Sequence, residues 1–271
     1  MNNSLSLNSA VMKLLLAIIC LSGISCEKIV DIDLNSSDPH IVIEGLISDN
    51  VAAKSTVKLS QTVNFAESNT FPPISGAKIT LIDNVGNTDT LAEFTPGTYQ
   101  GSKMQGVPGR TYMLTVAVSG KTYIATSTIP SPVNIDSLKV ALMTFGRNSA
   151  KVVNVYFQDP PNQKNYYRFV EYHNSVLVKN IFIYDDRIQD GNQIMTTLFD
   201  KEDTLRTGDH ADVYLQCVDK GAYDYFRTMR LATGAGSSQA ASPANPVSNF
   251  SNGALGYFSA YSERFRGITI P

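Results

Sequence analysis

The chain has no tryptophan, only three cysteines and three histidines, and 17% of its 271 residues are charged. Each shortage excludes something. Without Trp, a dedicated carbohydrate-binding module lacks the ring that most often stacks on sugar. His40, His173 and His210 stand 133 and 37 positions apart, so no His-x-His or His-x-x-x-His metal spacing exists. No Gly-x-Ser-x-Gly elbow occurs, which removes the commonest serine-hydrolase signature. Gly234-Ala-Gly236 has neither the preceding strand nor the following helix of a dinucleotide loop. Basic residues number 22 against 24 acidic ones, a net charge of −2, so the footprint of a nucleic-acid binder is missing. Apolar residues are not scarce. At 43% they are enough for a sizeable core, and the chain is not a disordered tail.

The N-terminal segment reads as an address. Met12 and Lys13 open a short positive region, and Leu14 to Ser25 is a stretch of 12 apolar or small residues. A membrane span needs about 20 such residues, so this run has the length of a signal-peptide core instead. Residues 1–11 carry no charge, which makes Met12 a competing translation start. Gly23-Ile24-Ser25-Cys26 resembles the lipobox of bacterial lipoproteins, although Gly23 departs from the usual Leu. Residues 1–25 are therefore expected to be a lipoprotein signal, with Cys26 the acylated residue and 26–39 an acidic tether. The plainer alternative is a secreted protein cut near Cys26. Removal of residues 1–25 leaves Cys217 as the only other cysteine, so no intramolecular disulfide is expected. In Asp212–Val218, Val213, Leu215 and Cys217 share one strand face, which predicts a buried, inert thiol.

The remainder reads as all-β in two parts. Strands are expected at 40–47, 55–61, 77–82, 88–94, 98–100, 111–118 and 121–128, the last two joined by the two-residue turn Ser119-Gly120. Seven short strands punctuated by Gly, Pro and Asn suggest an immunoglobulin-like β-sandwich over 40–130. Pro130-Ser-Pro132 marks the boundary. A second β-rich domain, 131–271, is expected to carry strands at 137–144, 151–158, 166–173, 176–184, 194–199 and 212–218, with a further strand at 256–261. One helix near 220–233 is capped by Asp219, carries Ala222, Tyr225, Phe226, Met229 and Thr233 on one face, and ends before Gly234. Residues 235–248 read as a loop poor in bulky side chains.

Candidate chemistry lies in two residue classes. Asp185, Asp186 and Asp190 surround the Gly191-Asn192 turn, and Lys201-Glu-Asp203 precedes Thr207-Gly-Asp209. Carboxylates so grouped could hold Ca²⁺, but the ordered Asp-x-Asp-x-Asp-Gly loop is missing and turn formation explains them. Aromatic residues crowd the start and end of the second part, and Tyr166, Tyr167, Tyr257 and Tyr261 are the candidate contact residues. No catalytic residue, metal site or cofactor is expected.

Several motifs recur in one order along the chain: Cys26-Glu-Lys-Ile-Val-Asp-Ile-Asp33, Ile43-Glu-Gly-Leu-Ile-Ser-Asp49, Pro73-Ile-Ser-Gly-Ala77 and Gly97-Thr-Tyr-Gln100. Gly106-Val-Pro-Gly-Arg-Thr-Tyr112, Pro130-Ser-Pro-Val-Asn-Ile-Asp-Ser137 and Asn252-Gly-Ala-Leu-Gly-Tyr-Phe-Ser-Ala-Tyr261 follow. In this order they resemble domain-of-unknown-function family 4249, lipoproteins of Bacteroidota. The resemblance implies a lipid-anchored outer-membrane protein of the cell envelope, encoded beside a TonB-dependent transporter, with no established reaction. The leading expectation is a non-enzymatic accessory or ligand-capturing partner of such a transporter. A glycan-binding surface module, supported by exposed aromatics in a row, is the second reading. A degradative exoenzyme, which needs His, Asp and Glu converging in one cleft, is the third.

Overall fold

Alternation of apolar and polar residues builds most of the protein. The computed structural model describes residues 39–63, 70–146, 148–200, 204–233 and 244–271. The signal segment, Cys26, nearly all of the tether, Lys201–Asp203 and Gly234 lie outside them. Strand β1 (Ile41–Ser48) turns Ile43 and Ile47 inward, and β2 (Thr56–Gln61) turns Val57 and Leu59. β3 (Lys78–Asp83), β4 (Thr88–Thr95) and β5 (Thr98–Gln100) follow. β6 (Thr111–Val118) and β7 (Lys121–Thr128) form the expected hairpin. Its turn residues Ser119 and Gly120 have φ of 50° and 71°, the left-handed pair that matches the twist of the strands.

The second half begins with β8 (Ser137–Phe145) and β9 (Asn148–Gln158), and β9 lies between β8 and β13 (Gln193–Leu198) in a separate three-stranded sheet. β10 (Tyr166–His173), β11 (Val176–Leu177), β12 (Phe182–Asp185), β14 (His210–Cys217) and β15 (Leu255–Thr269) belong to the larger sheet. Its ladder runs β11-β10-β14-β15-β1-β2-β5-β4-β3-β6-β7, with β12 added on β10. The run expected as one strand over 176–184 is two. Val178 is buried and its amide donates to the Glu171 carbonyl, after which the Asn180 side chain accepts from Ile181 N and donates to the Phe199 carbonyl. That local bonding breaks the strand, as Asn does in turns.

β15 sets the architecture. Leu255–Tyr261 runs parallel to β1, and Ser262–Thr269 runs antiparallel to β14. One strand thus serves both halves, and residues 38–271 cluster as a single compact unit across the boundary expected at 130–132. Two cores nevertheless flank that boundary. The first gathers Ile43, Leu59, Ile79, Leu114 and Val116, completed by Phe250, Phe258 and Ala260 from beyond residue 244. The close fit shows at Gly45, where a Cβ would come within 2.7 Å of Leu114 and 3.0 Å of Phe258. The second core lies between the three-stranded sheet and β10–β14, with Val155, Phe157, Tyr167, Phe169, Val213, Leu215 and Cys217. Val213, Leu215 and Cys217 share one buried face, as the alternation predicts. Burial pushes the Cys217 thiol up to about 11.

Helix α1 (Lys220–Ala232) covers the outer face of β10 and β15, opposite that core. Asp219 caps it, accepting from Ala222 N at 2.9 Å with one oxygen and from Thr128 N at 3.1 Å with the other. Its buried residues are Ala222, Tyr223, Tyr225 and Phe226, while Thr233 is exposed. Among the described residues no helix is long and apolar enough to cross a membrane.

Candidate ligand pocket

Adjacent residues on a strand point to opposite faces, and this decides what the tyrosines can do. On β10, Tyr167 points into the second core, fully buried against Phe157 at 4.8 Å, with its hydroxyl on Asp159. A partner has no surface of Tyr167 to touch. Tyr166 points the other way and lies against Tyr223 of α1, ring centroids 4.6 Å apart. Tyr261 packs beside them. Tyr257 meets Tyr225 at 4.7 Å and Phe226 at 4.8 Å, so three of the four expected contact tyrosines gather beneath α1.

Beside this aromatic group is a pocket of about 220 Å³. Tyr225, Phe226 and Met229 of α1 wall one side, Tyr257 and Arg168 form part of the floor, and residues 177–181 close the other side. Arg168 shares the outer face of β10 with Tyr166. Its guanidinium carbon stands 4.2 Å from the Phe226 ring centroid, a cation–π distance. It donates to the Gln216 side-chain oxygen at 2.7 Å, and Gln216 in turn donates to Glu263 at 2.8 Å. A neutral amide therefore separates the cation from the nearest carboxylate along this chain of bonds. Burial pulls the Arg168 pKa down, with Tyr257 the leading opposing influence. Burial also pushes the Tyr225 and Tyr257 hydroxyls up to about 12, so both remain protonated donors. The sequence reading missed Arg168. Its signal was a single cation in the alternating run Tyr166–Val170, where the outer face would otherwise be expected to carry only covered or neutral residues.

A second convergence involves carboxylates. Among the described residues, Asp159, Asp186 and Asp190 bring one oxygen each within 4.8 Å of one another. Asp186 and Asp190 come from the loop after β12, as the sequence suggested, and Asp159 joins from the end of β9. Hard oxygen ligands at this spacing are the kind that hold Ca²⁺. Each carboxylate also works for a loop: Asp159 accepts from Gly191 N at 2.9 Å, Asp186 from Asn165 N at 2.7 Å and Asp190 from Asn162 N at 3.0 Å. Burial raises the Asp186 pKa, and the Asp159 and Asp190 charges add to the rise. Asp185 stands apart, bonded to Tyr223 and Arg187. Asp209 accepts from Asn174 and from Arg206 N, the turn role expected of it. The histidines do not converge on one cleft with these acids. His40 is exposed, His173 is 3.1 Å from Glu171, and His210 is 3.1 Å from Asp212.

The family described as Domain of unknown function (DUF4249) matches residues 27–266. No curated protein matches the chain. Among solved structures, a DUF4785 family protein from Legionella pneumophila subsp. pneumophila str. Philadelphia 1 is similar over 68% of this chain at 9% identity, with a TM-score of 0.25. The chain spans about half of that structure, 53% of its length.

Proposed function

The chain belongs to the DUF4249 family, and from that premise we propose that it is a lipid-anchored outer-membrane protein that captures a ligand for a TonB-dependent transporter. It acts by contact and has no reaction of its own. The pocket beneath α1 is the observation that carries this reading. Aromatic walls with a few polar groups, Arg168 the most enclosed of the charged ones, suit reversible capture, because they bury a ligand's apolar surface while fixing its orientation. The Gly23-Ile24-Ser25-Cys26 sequence supports the anchor, and two or more acyl chains hold a protein stably on a membrane.

Cross-linking in intact outer membranes is the test of the partner. Recovery of a TonB-dependent transporter is expected, and recovery of no barrel protein overturns the transporter reading. Cys26→Ser is expected to abolish fatty-acid labelling and to release the protein into the soluble fraction. Labelling that survives the substitution overturns the anchor. Turnover of a polysaccharide or peptide by the purified chain would replace capture with an exoenzyme activity.

A further inference from the structure

We propose that the pocket beneath α1 binds a small monocarboxylate with an apolar, preferably aromatic, body, and that Arg168 is its anchor. The proposal rests on reading this pocket as a capture site, and it is independent of which transporter, if any, receives the ligand.

Arg168 carries the argument. A charge partly drawn out of water, as the half-buried Arg168 is, is stabilised by a counter-charge or by hydrogen bonds to its free donors. Among the described residues, Arg168 makes no direct ion pair: its one side-chain hydrogen bond goes to the neutral Gln216 amide, and the Glu263 charge acts on it from beyond that amide. An arginine has five N–H donors in a planar fork that matches a carboxylate. One is used here, while the ring of Phe226 holds the plane of the group. Gln216 is itself tied to Glu263, so the fork stays where a ligand would meet it.

The surroundings narrow the ligand class. The Tyr225 and Tyr257 hydroxyls have no hydrogen-bond partner among the described residues, and both belong to the pocket wall. They stand ready to donate to the same anion. Lys179 on the facing loop adds a second positive charge, exposed at the edge. Glu44 sits at the rim, opposite Tyr257 in the β1–β15 register. Its negative charge acts on both the Tyr225 and the Tyr257 hydroxyls, so the pocket tolerates one carboxylate on Arg168 and disfavours a second, which selects monoacids over diacids. A volume of about 220 Å³ equals that of roughly seven liquid waters, the size of a small aromatic acid rather than an oligosaccharide.

The test is isothermal titration calorimetry of the full chain with 3-phenylpropionate, its neutral analogue 3-phenylpropanol and the diacid succinate. Binding of the monoacid is expected, with the alcohol and the diacid weaker by roughly tenfold or more. Arg168→Gln should remove this preference for the acid. Tyr225→Phe, which deletes only a hydroxyl, should weaken acid binding severalfold and leave alcohol binding unchanged. A melting curve for each variant separates lost binding from lost folding. Equal binding of acid and alcohol, or acid binding unaffected in a folded Arg168→Gln chain, overturns the proposal. So does failure of any aromatic or branched monoacid to bind. Such a failure would leave a cross-linked transporter standing, whereas absence of a cross-link would leave ligand binding standing.

Discussion

The two halves of the protein treat buried acids in opposite ways. In the first half, Asp83 accepts from Val85 N, from Asn87 N and from the Asn87 side chain, and Arg110 pairs with it at 2.9 Å. Asp89 accepts three successive amides, from Ser102, Lys103 and Met104. These acids fasten turns, and they are surrounded by donors. In the second half, Asp159 and Asp186 are buried facing each other, with Asp190 close by. Arg168 in that half likewise makes no direct ion pair, and Glu263 reaches it only through the Gln216 amide. The first half thus surrounds its acids with backbone donors and, at Asp83, a cation, while the second half sets three carboxylates beside one another. Ionisable groups perturbed by burial and by a charged neighbour cluster at functional sites, which makes the second half the place to look for one.

The comparison breaks most severely at the strand the halves share. Phe258 is 1% exposed and reaches the first core from β15. Phe258→Ala should cost about 3–5 kcal/mol, read as a lower denaturant midpoint. One transition shifted as a whole is the expected result. Two separated transitions would show that the halves unfold independently despite β15.

Acid provides the next test, because the two halves should answer with opposite signs. Burial tends to raise Asp83, but the bonds from Asn87 and Val85 with the Arg110 charge outweigh it and hold its pKa below 3.8. Its contribution is therefore present above 3.8 and is lost as pH falls through the lower, folded value. Asp186 is raised above 3.8, so its ionised form destabilises the fold at neutral pH. As pH falls through that raised value towards 3.8, protonation relieves the cost and the second half gains stability. Asp83→Ala should cost about 1–3 kcal/mol by stranding its donors. Asp186→Asn, which still accepts from Asn165 N, should stabilise at neutral pH and erase the gain in mild acid. Hydrogen exchange resolved by half would measure both. A destabilised Asp186→Asn protein would mean that a bound cation balances the acidic group.

The smallest effect is expected at Cys217, where stability stays unchanged and only reactivity is read. A thiol with its pKa near 11 and 1% exposure should resist alkylation at pH 8 in the folded chain and react fully in denaturant. Peptide mapping of the modified residue makes it a reporter of opening in the second half alone. Fast labelling in the native protein would contradict the closed core placed around Val213 and Leu215.

Local chemistry was readable from the sequence, and long-range pairing was not. Ser119-Gly120 announces its hairpin because two left-handed residues are needed there. Asp219 announces a helix start because its side chain satisfies Ala222 N. Val213, Leu215 and Cys217 share a face by the period of a strand. The residues that meet in space carry no such mark. Asp159 joins Asp186 only because β9 and β13 pair, bringing their ends together. Arg168 becomes unusual only once α1 covers it. The run at 256–261 looked like a short closing strand, yet β15 extends to Thr269 and changes partner at Ser262. No local pattern specifies that β1 will find its parallel neighbour more than 200 positions along the chain.

That parallel pairing also fixes a timetable. As the chain leaves the ribosome, the segment holding β1 to β7 emerges well before residues 255–261. Until those arrive, β1 presents an open edge, and the space beside Gly45 and Leu114 has no Phe258 to fill it. A nascent chain paused short of residue 255 therefore holds its first half in an unfinished state, open to chaperones. Contacts of such long sequence separation are closed late and slowly. Order of emergence and order of completion run in opposite directions in this protein, with the earliest strand among the last to be secured.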